Sequence, residues 1–457
     1  MLLSAFAQAQ ESIERLVADD AARLLTHADA LVRGEAALVV AAAGRSDLLP
    51  KLVDLSRDGD DRTRQRALLA LAYLPAPSTV RRLEDQLDSV EGRCTADGSA
   101  AAFALGAMRD DQGSGALARV LSTFPYASWK RQHDTLVALL LGLDTRGEPR
   151  EVTALRRLYD DDANRDPVVR ALLLRLLLPV DRTIDLDFVR RTLDHGSDAE
   201  VTALLQWLAE AGTPFDASIA EPLERITKKA RNEAHRTAAL AALTRLRHQP
   251  ALELANRALT SGGPAECAQG LRTLLAIGGA RQRRDLEARV LGETDAARQA
   301  ALLANFDAPP SAAMVDACAR LAASRSSPFA LRAAAAVVFA HGDADRAGPL
   351  LRDLFRATTD AATLPRLAAA LQGQANTPAM SRLLDFAAEP WRQPQRWSAL
   401  LQVQHPEATR QLLQVLAEPS TPANVLAAAL TAWRRPHVPA PKAAGEALPA
   451  VLRAIFE

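Results

Sequence analysis

The sequence predicts an all-α fold, a right-handed α–α superhelix (solenoid) of about thirteen helix pairs. Three observations predict it. First, nine arginines, Arg33, Arg64, Arg131, Arg170, Arg236, Arg298, Arg332, Arg366 and Arg396, recur near a common spacing. Most are followed by alanines and leucines at helical intervals, as in Val169-Arg170-Ala171-Leu172-Leu173-Leu174. Second, hydrophobic residues make up 48% of the 457 residues but aromatics only 4%. The core is therefore aliphatic, rich in helix-forming alanine and leucine and poor in strand formers. Third, caps and stops recur between the apolar stretches. A fixed period of this length marks an array of supersecondary units that bury their faces against each other.

Taken in order, the second helices of the units align on Arg33, Arg64, Gly98, Arg131, Arg170, Glu200, Arg236, Ala268, Arg298, Arg332, Arg366, Arg396 and Leu426. Their mean step is about 33 residues, enough for two helices and two short turns. Polar or acidic clusters precede many of these helices: Asp58-Gly59-Asp60-Asp61, Asp160-Asp161-Asp162, Gly196-Ser197-Asp198 and Glu293-Thr294-Asp295. Such residues accept from the free N–H groups of a first turn and suit the positive end of the helix dipole. Proline recurs at the same place, at Asp166-Pro167 and Ser327-Pro328. Gly44, Gly106, Gly142, Gly212, Gly278, Gly342 and Gly373 read as C-terminal stops. Leu172 to Leu178 leave Arg175 as almost the only polar group, so that helix is buried on more than one side. Residues 1–437 read as the array. Residues 438–457 read as a C-terminal capping helix with the stripe Leu448, Val451, Leu452, Ile455 and Phe456.

The unit "acidic turn, Val/Leu-Arg, x-x-Ala, x-x-Ala-Leu" is clearest at 29–44, 60–74, 166–178, 295–306 and 328–342. It resembles the HEAT-repeat family, and especially the short bacterial HEAT-like repeats of the phycobilin-lyase type. The resemblance covers nearly the whole chain. It implies a structural ladder of Arg33, Arg64, Arg170, Arg236, Arg298 and Arg332, paired as Asp29/Arg33, Asp60/Arg64, Asp166/Arg170, Asn232/Arg236 and Asp295/Arg298. The planar guanidinium fork suits that role because it serves several acceptors at once. The arginine is missing at Gly98, Glu200, Ala268 and Leu426.

The net charge is zero, with 55 basic and 55 acidic residues, which disfavours a general nucleic-acid or anionic-membrane binder. The charge is unevenly spread. Residues 1–224 hold 26 basic against 36 acidic residues, 225–289 hold 13 against 5, and 290–457 hold 16 against 14. The basic stretch makes Arg225, Lys228, Lys229, Arg231, Arg281, Arg283 and Arg284 candidate contacts for an acidic partner. It contains no Trp, Tyr or Phe on which bases could stack, so nucleic acid is the weaker reading of 225–289. Trp391, Trp397 and Trp433 stand out in an aromatic-poor chain, and read either as gap fillers in irregular packing or as partner contacts.

No catalytic or metal-ligating motif is present, and none of the eight histidines precedes a glutamate. No cofactor is expected. Three cysteines, Cys94, Cys267 and Cys318, do not make a disulfide framework. No apolar run long enough to span a membrane appears. Residues 1–9 read as part of a first amphipathic helix, with the remnant of a signal peptide as the alternative. The cytoplasm is accordingly favoured, with the periplasm implied by that alternative. The sequence therefore predicts a non-enzymatic scaffold or adaptor holding a protein partner along the concave surface. The lyase resemblance implies an alternative, an accessory factor handling a bound chromophore or cofactor.

Overall fold

The computed structural model describes residues 2–109, 111–123, 132–147, 149–161, 163–181, 183–210, 217–358, 360, 362–372, 394–402, 406–438, 441 and 448–456. Every α-helix or 3-10 helix among them belongs to one all-helical architecture, and no strand occurs among the described residues. The chain divides into two compact units. The first holds Met1–Thr183, Phe386–Leu401 and Pro406–Glu457, and the second holds Ile184–Asp385 and Gln402–His405.

The first unit contains α1 (Leu2–Leu24), α2 (Ala30–Ala42), α3 (Leu49–Leu55), α4 (Asp61–Ala70), α5 (Pro77–Leu87), α6 (Val90–Arg93), α7 (Ala96–Ala107), α8 (Asp111–Thr123), α9 (His133–Arg146), α10 (Val152–Asp160) and α11 (Pro167–Leu177). From the far end of the chain it adds α24 (Pro394–Gln402), almost all of it, with α25 (Pro406–Ala417), α26 (Ala423–Arg434) and α27 (Ala450–Phe456). Second helices α2, α4, α7, α9 and α11 stack one on the next. In this wall α2 has two neighbours, α4 on one side and α26, from the last repeat, on the other. First helix α1 packs on α25, and α27 packs on α7. The first repeat is thus covered by the last.

The second unit contains α12 (Leu186–His195), α13 (Asp198–Glu210), α14 (Ala220–Lys229), α15 (Glu233–Arg245), α16 (Ala251–Ser261), α17 (Pro264–Ile277), α18 (Ala280–Leu291), α19 (Ala296–Ala304), α20 (Ala312–Ala323), α21 (Phe329–Gly342), α22 (Ala344–Ala357) and α23 (Leu364–Gln372). Successive pairs from α12/α13 to α22/α23 pack within themselves, and α13, α15, α17, α19, α21 and α23 form the wall. This is the stacked helix-pair architecture that the repeat predicts. The alignment anchors fall in second helices throughout, apart from Arg131, which lies outside the described residues.

Local chemistry explains the boundaries. Asp29, Asp60, Asp166 and Asp295 each accept two backbone N–H bonds at the start of α2, α4, α11 and α19, and Asn232 accepts one at α15. Each such cap contributes about 1 kcal/mol. Gly44 does end α2 in the left-handed region, at φ 71°. Gly106 and Gly142 are not stops. They lie inside α7 and α9, where a Cβ on Gly106 would come within 2.4 Å of the Leu139 carbonyl oxygen and one on Gly142 within 2.3 Å of that of Phe103. Glycine is required there because two backbones meet. Gly212 and Gly373 lie outside the described residues. Among the described residues no helix is long and apolar enough to cross a membrane.

Candidate partner-binding surfaces

The recurrent arginines are built into the turn between the helices of a pair. The guanidiniums of Arg33, Arg64, Arg170, Arg236 and Arg332 reach back to carbonyls at or just past the end of the preceding helix. Arg33 donates to His27 O and Ala28 O, both at 2.9 Å, and Arg64 to Asp58 O at 2.8 Å. Arg170 donates to Tyr159 O at 3.0 Å and stacks over the Tyr159 ring, while Arg236 donates to Ala230 O at 2.7 Å and Arg332 to Ala322 O at 3.2 Å. Arg298 on α19 instead crosses to the preceding repeat, to Leu259 O and, at 3.2 Å, Thr260 O in the last turn of α16. The Tyr159, Ala322, Leu259 and Thr260 carbonyls lie in the last turns of their helices and carry the negative end of the helix dipole, which a cation stabilises.

Arg33, Arg64, Arg236 and Arg298 pair with acids, though not with the expected ones. Arg33 pairs with Asp58 at 3.3 Å, Arg64 with Asp97 and Asp61 at 2.5 Å each, and Arg298 with Glu293 at 3.3 Å. Arg236 holds Glu266 in two bonds of 2.6 and 3.1 Å. The side-chain bond from Glu266 raises the Arg236 pKa, and its counterpart lowers that of Glu266. Asp29, Asp60, Asp166, Asn232 and Asp295 are engaged instead as helix caps. The physical reason is reach: a carboxylate that accepts from the N–H groups of its own first turn is turned away from a side chain one turn on.

A buried charge cluster in the first unit has no counterpart in the sequence reading. Glu35 on α2 is 1% exposed, Arg66 on α4 is 6% exposed and Arg434 on α26 is 1% exposed. Arg66 Nε donates to Glu35 Oε1 at 2.8 Å and Arg434 Nε to Glu35 Oε2 at 2.5 Å. The two guanidiniums also donate to α27 carbonyls, Arg66 to Ala454 O at 3.0 Å and Arg434 to Ile455 O. Burial by itself pushes the Glu35 carboxyl up, but the charges of Arg434 and Arg66 outweigh it and hold the pKa below the usual value. The one signal in the sequence is a glutamate inside the otherwise apolar run Gly34–Ala41.

The candidate contacts separate into distinct places. Arg225 is exposed and pairs with Asp194, and Lys228 pairs with Glu224 at 2.6 Å. Lys229 and Arg231 are exposed at the end of α14. Lys228 and Arg236 meet Arg257 of α16 in a cleft of about 210 Å³. Arg281, Arg283 and Arg284 open α18 at the far end of α17, whose 14 residues span roughly 21 Å. The basic stretch is therefore not one patch. Trp397 is completely buried, so it fills the interior and presents no contact surface. Trp433 is half-buried with its ring 5.8 Å from that of His437, and Trp391 and Trp129 lie outside the described residues.

The second-helix wall of the second unit carries a groove of about 440 Å³ across α19, α21 and α23. Its floor and sides are alanine, including Ala301, Ala330, Ala334 and Ala370, with Val337 among them. His341, Thr363 and Arg366 supply the polar edge. Arg366 stands at a ladder position but is exposed on this groove. Composition hid the groove, because alanines there look like those of any helix interior.

No family model and no curated protein matches the chain. Among solved structures it is similar to the karyopherin Kap121p bound to the extreme C-terminus of the protein phosphatase Cdc14p. The identity is 13% over 93% of this chain and 54% of that one, with a TM-score of 0.31. Kap121p bound to Nup53p is similar at 13% identity over 100% and 55% of the two chains, with a TM-score of 0.29. An engineered protein is similar at 18% identity over 93% and 98%, with a TM-score of 0.22. The chain spans about half the length of the Kap121p chains. Superpositions this loose carry no argument about function, and the fold rests on the helix pairs described above.

Proposed function

We propose that the protein is a non-enzymatic adaptor that holds a protein partner on the second-helix wall of its second unit. The observation that carries this reading is the alanine-lined groove across α19, α21 and α23 with Arg366 and His341 at its edge. Small side chains let another backbone approach closely, so the groove suits a partner segment that packs by shape. Its apolar lining with a few convergent polar groups is typical of a binding site. The HEAT-like resemblance supports the same reading.

A photo-crosslinking residue at Ala330 or Ala369, both exposed in the groove, tests it. Partner captured from the host through these positions, and not through a first-helix position such as Arg352, is the expected result. Ala330→Trp with Ala369→Trp fills the groove and reduces capture at least tenfold. Undiminished capture by that variant places the partner elsewhere. Incubation with tetrapyrroles addresses the chromophore-handling alternative, and specific binding there overturns the adaptor-only reading.

A further inference from the structure

The second unit carries another feature that the groove does not explain. Lys228, at the end of α14, Arg236 on α15 and Arg257 on α16 converge on one cleft. It lies between the first helices α14 and α16, over α15, and so is distinct from the second-helix groove. Glu266 of α17 also lines it. Glu266 lies across two donors of Arg236, at 2.6 and 3.1 Å, and accepts from Gly263 N at 3.2 Å. The cleft thus already holds one carboxylate in the two-pronged geometry that guanidinium groups favour.

The charge left over is positive. Glu266 neutralises Arg236, on which the Glu233 carboxylate beside Gly263 also acts, and Glu224, outside the cleft lining, pairs with Lys228. Arg257 is exposed, and among the described residues it pairs with no carboxylate. Lys229 and Arg231 are exposed beside Lys228 and add to the field. Pro264 stands at the start of α17, and that first turn already faces two carboxylates, Glu266, which accepts from Gly263 N, and Glu233, which lies beside Gly263. This is also the unit in which the recurrent arginine is replaced, by Ala268.

We propose that this cleft is a recognition site for an acidic protein segment, one of whose Asp or Glu side chains pairs with Arg257 and Lys228. Charge complementarity selects the occupant, and the carboxylate of Glu266 shows that the cleft accommodates this group. A volume of about 210 Å³ admits a side chain and little more. The stretch 225–289 has no aromatic residue on which a base could stack, so an acidic peptide is favoured over single-stranded nucleic acid. Exposed charges of this kind act chiefly on association rate and specificity, so binding weakens with added salt.

The test measures binding of a fluorescent octaglutamate peptide to the full chain by anisotropy at low salt. Inorganic phosphate and an unstructured oligothymidine serve as competitors. Binding that weakens at least tenfold in Arg257→Glu, and is unchanged in Arg320→Glu on α20, is the expected result. Arg257 and Arg320 are both exposed, and unchanged circular dichroism of each variant shows that the fold is kept. Absence of peptide binding by the wild-type chain overturns the proposal, as does equal binding by Arg257→Glu. Full displacement by phosphate at the peptide's own concentration reduces the site to a general anion site and overturns it. Tighter binding of the oligothymidine, lost in Arg257→Glu, overturns it in favour of nucleic acid. The groove variant Ala330→Trp leaves peptide binding unchanged, which keeps this result separate from that of the adaptor reading.

Discussion

Removing the Glu35 charge has the largest expected effect on the first unit. Glu35→Gln keeps the side-chain shape but leaves Arg66 and Arg434 buried beside each other without a counter-ion. Breaking a buried ion pair by removing one partner costs about 3–5 kcal/mol. That is a large share of the roughly 5–15 kcal/mol by which a domain is stable. The loss falls on the seam where α26 and α27 meet α2, α4 and α7, because Arg66 and Arg434 also hold the Ala454 and Ile455 carbonyls. Hydrogen exchange reads this locally: amides of α26 and α27 lose protection first, while α15 to α21 keep theirs. Urea unfolding followed by circular dichroism reads it globally. The companion variant replaces Glu35, Arg66 and Arg434 together by methionine. With no charge left unpaired, it is expected to lie near wild-type stability, since apolar replacement of buried ion clusters is often neutral or stabilising. The pH dependence follows from the depressed Glu35 pKa. The contribution of Glu35 is complete above its unfolded pKa, near 4.3, and is lost as pH falls through its lower folded value. Glu35→Gln removes that acid-dependent component. A Glu35→Gln protein within 1 kcal/mol of wild type, with unchanged exchange in α26 and α27, would refute the reasoning.

The remaining predictions concern the repeat. Arg170→Ala is expected to destabilise by about 1–3 kcal/mol through the Tyr159 and Asn164 carbonyls it leaves behind, measured by thermal unfolding. A double-mutant cycle between Arg64 and Asp97 is expected to give a coupling of about 1 kcal/mol, whereas Arg64 and Asp60 couple by less than about 0.5 kcal/mol, since Asp60 caps its own helix. Gly142→Ala puts a methyl group against the Phe103 carbonyl and is expected to cost about 1–3 kcal/mol, again by thermal unfolding.

The helix-pair repeat was legible because its causes are local. Caps such as Asp60, the alanine and leucine periodicity and the left-handed Gly44 all act within a few residues, so spacing along the chain displays them. The position of each recurrent arginine was legible for the same reason. Its partner was not, because Asp97 and Glu266 come from the following repeat and their approach depends on how one pair stacks on the next. Spacing likewise made Gly106 and Gly142 look like stops, when their role is set by a crossing of two helices.

The candidate sites divide in the same way. The excess of positive charge in 225–289 is a property of the sequence. Stacking alone gathers Lys228, Arg236 and Arg257 into one cleft and sends Arg281, Arg283 and Arg284 to the other end of α17. Burial alone separates Trp397 from Trp433, because a tryptophan has the same composition whether it fills a gap or faces a partner. The sequence by itself determined the all-α class, the period and the caps, which depend on backbone bonding within a helix. Only the tertiary structure decided that α26 lies on α2 and that Glu35 meets Arg434. Those contacts join residues 399 apart, and no pattern of local spacing encodes a pairing whose energy arises when both ends are removed from water together.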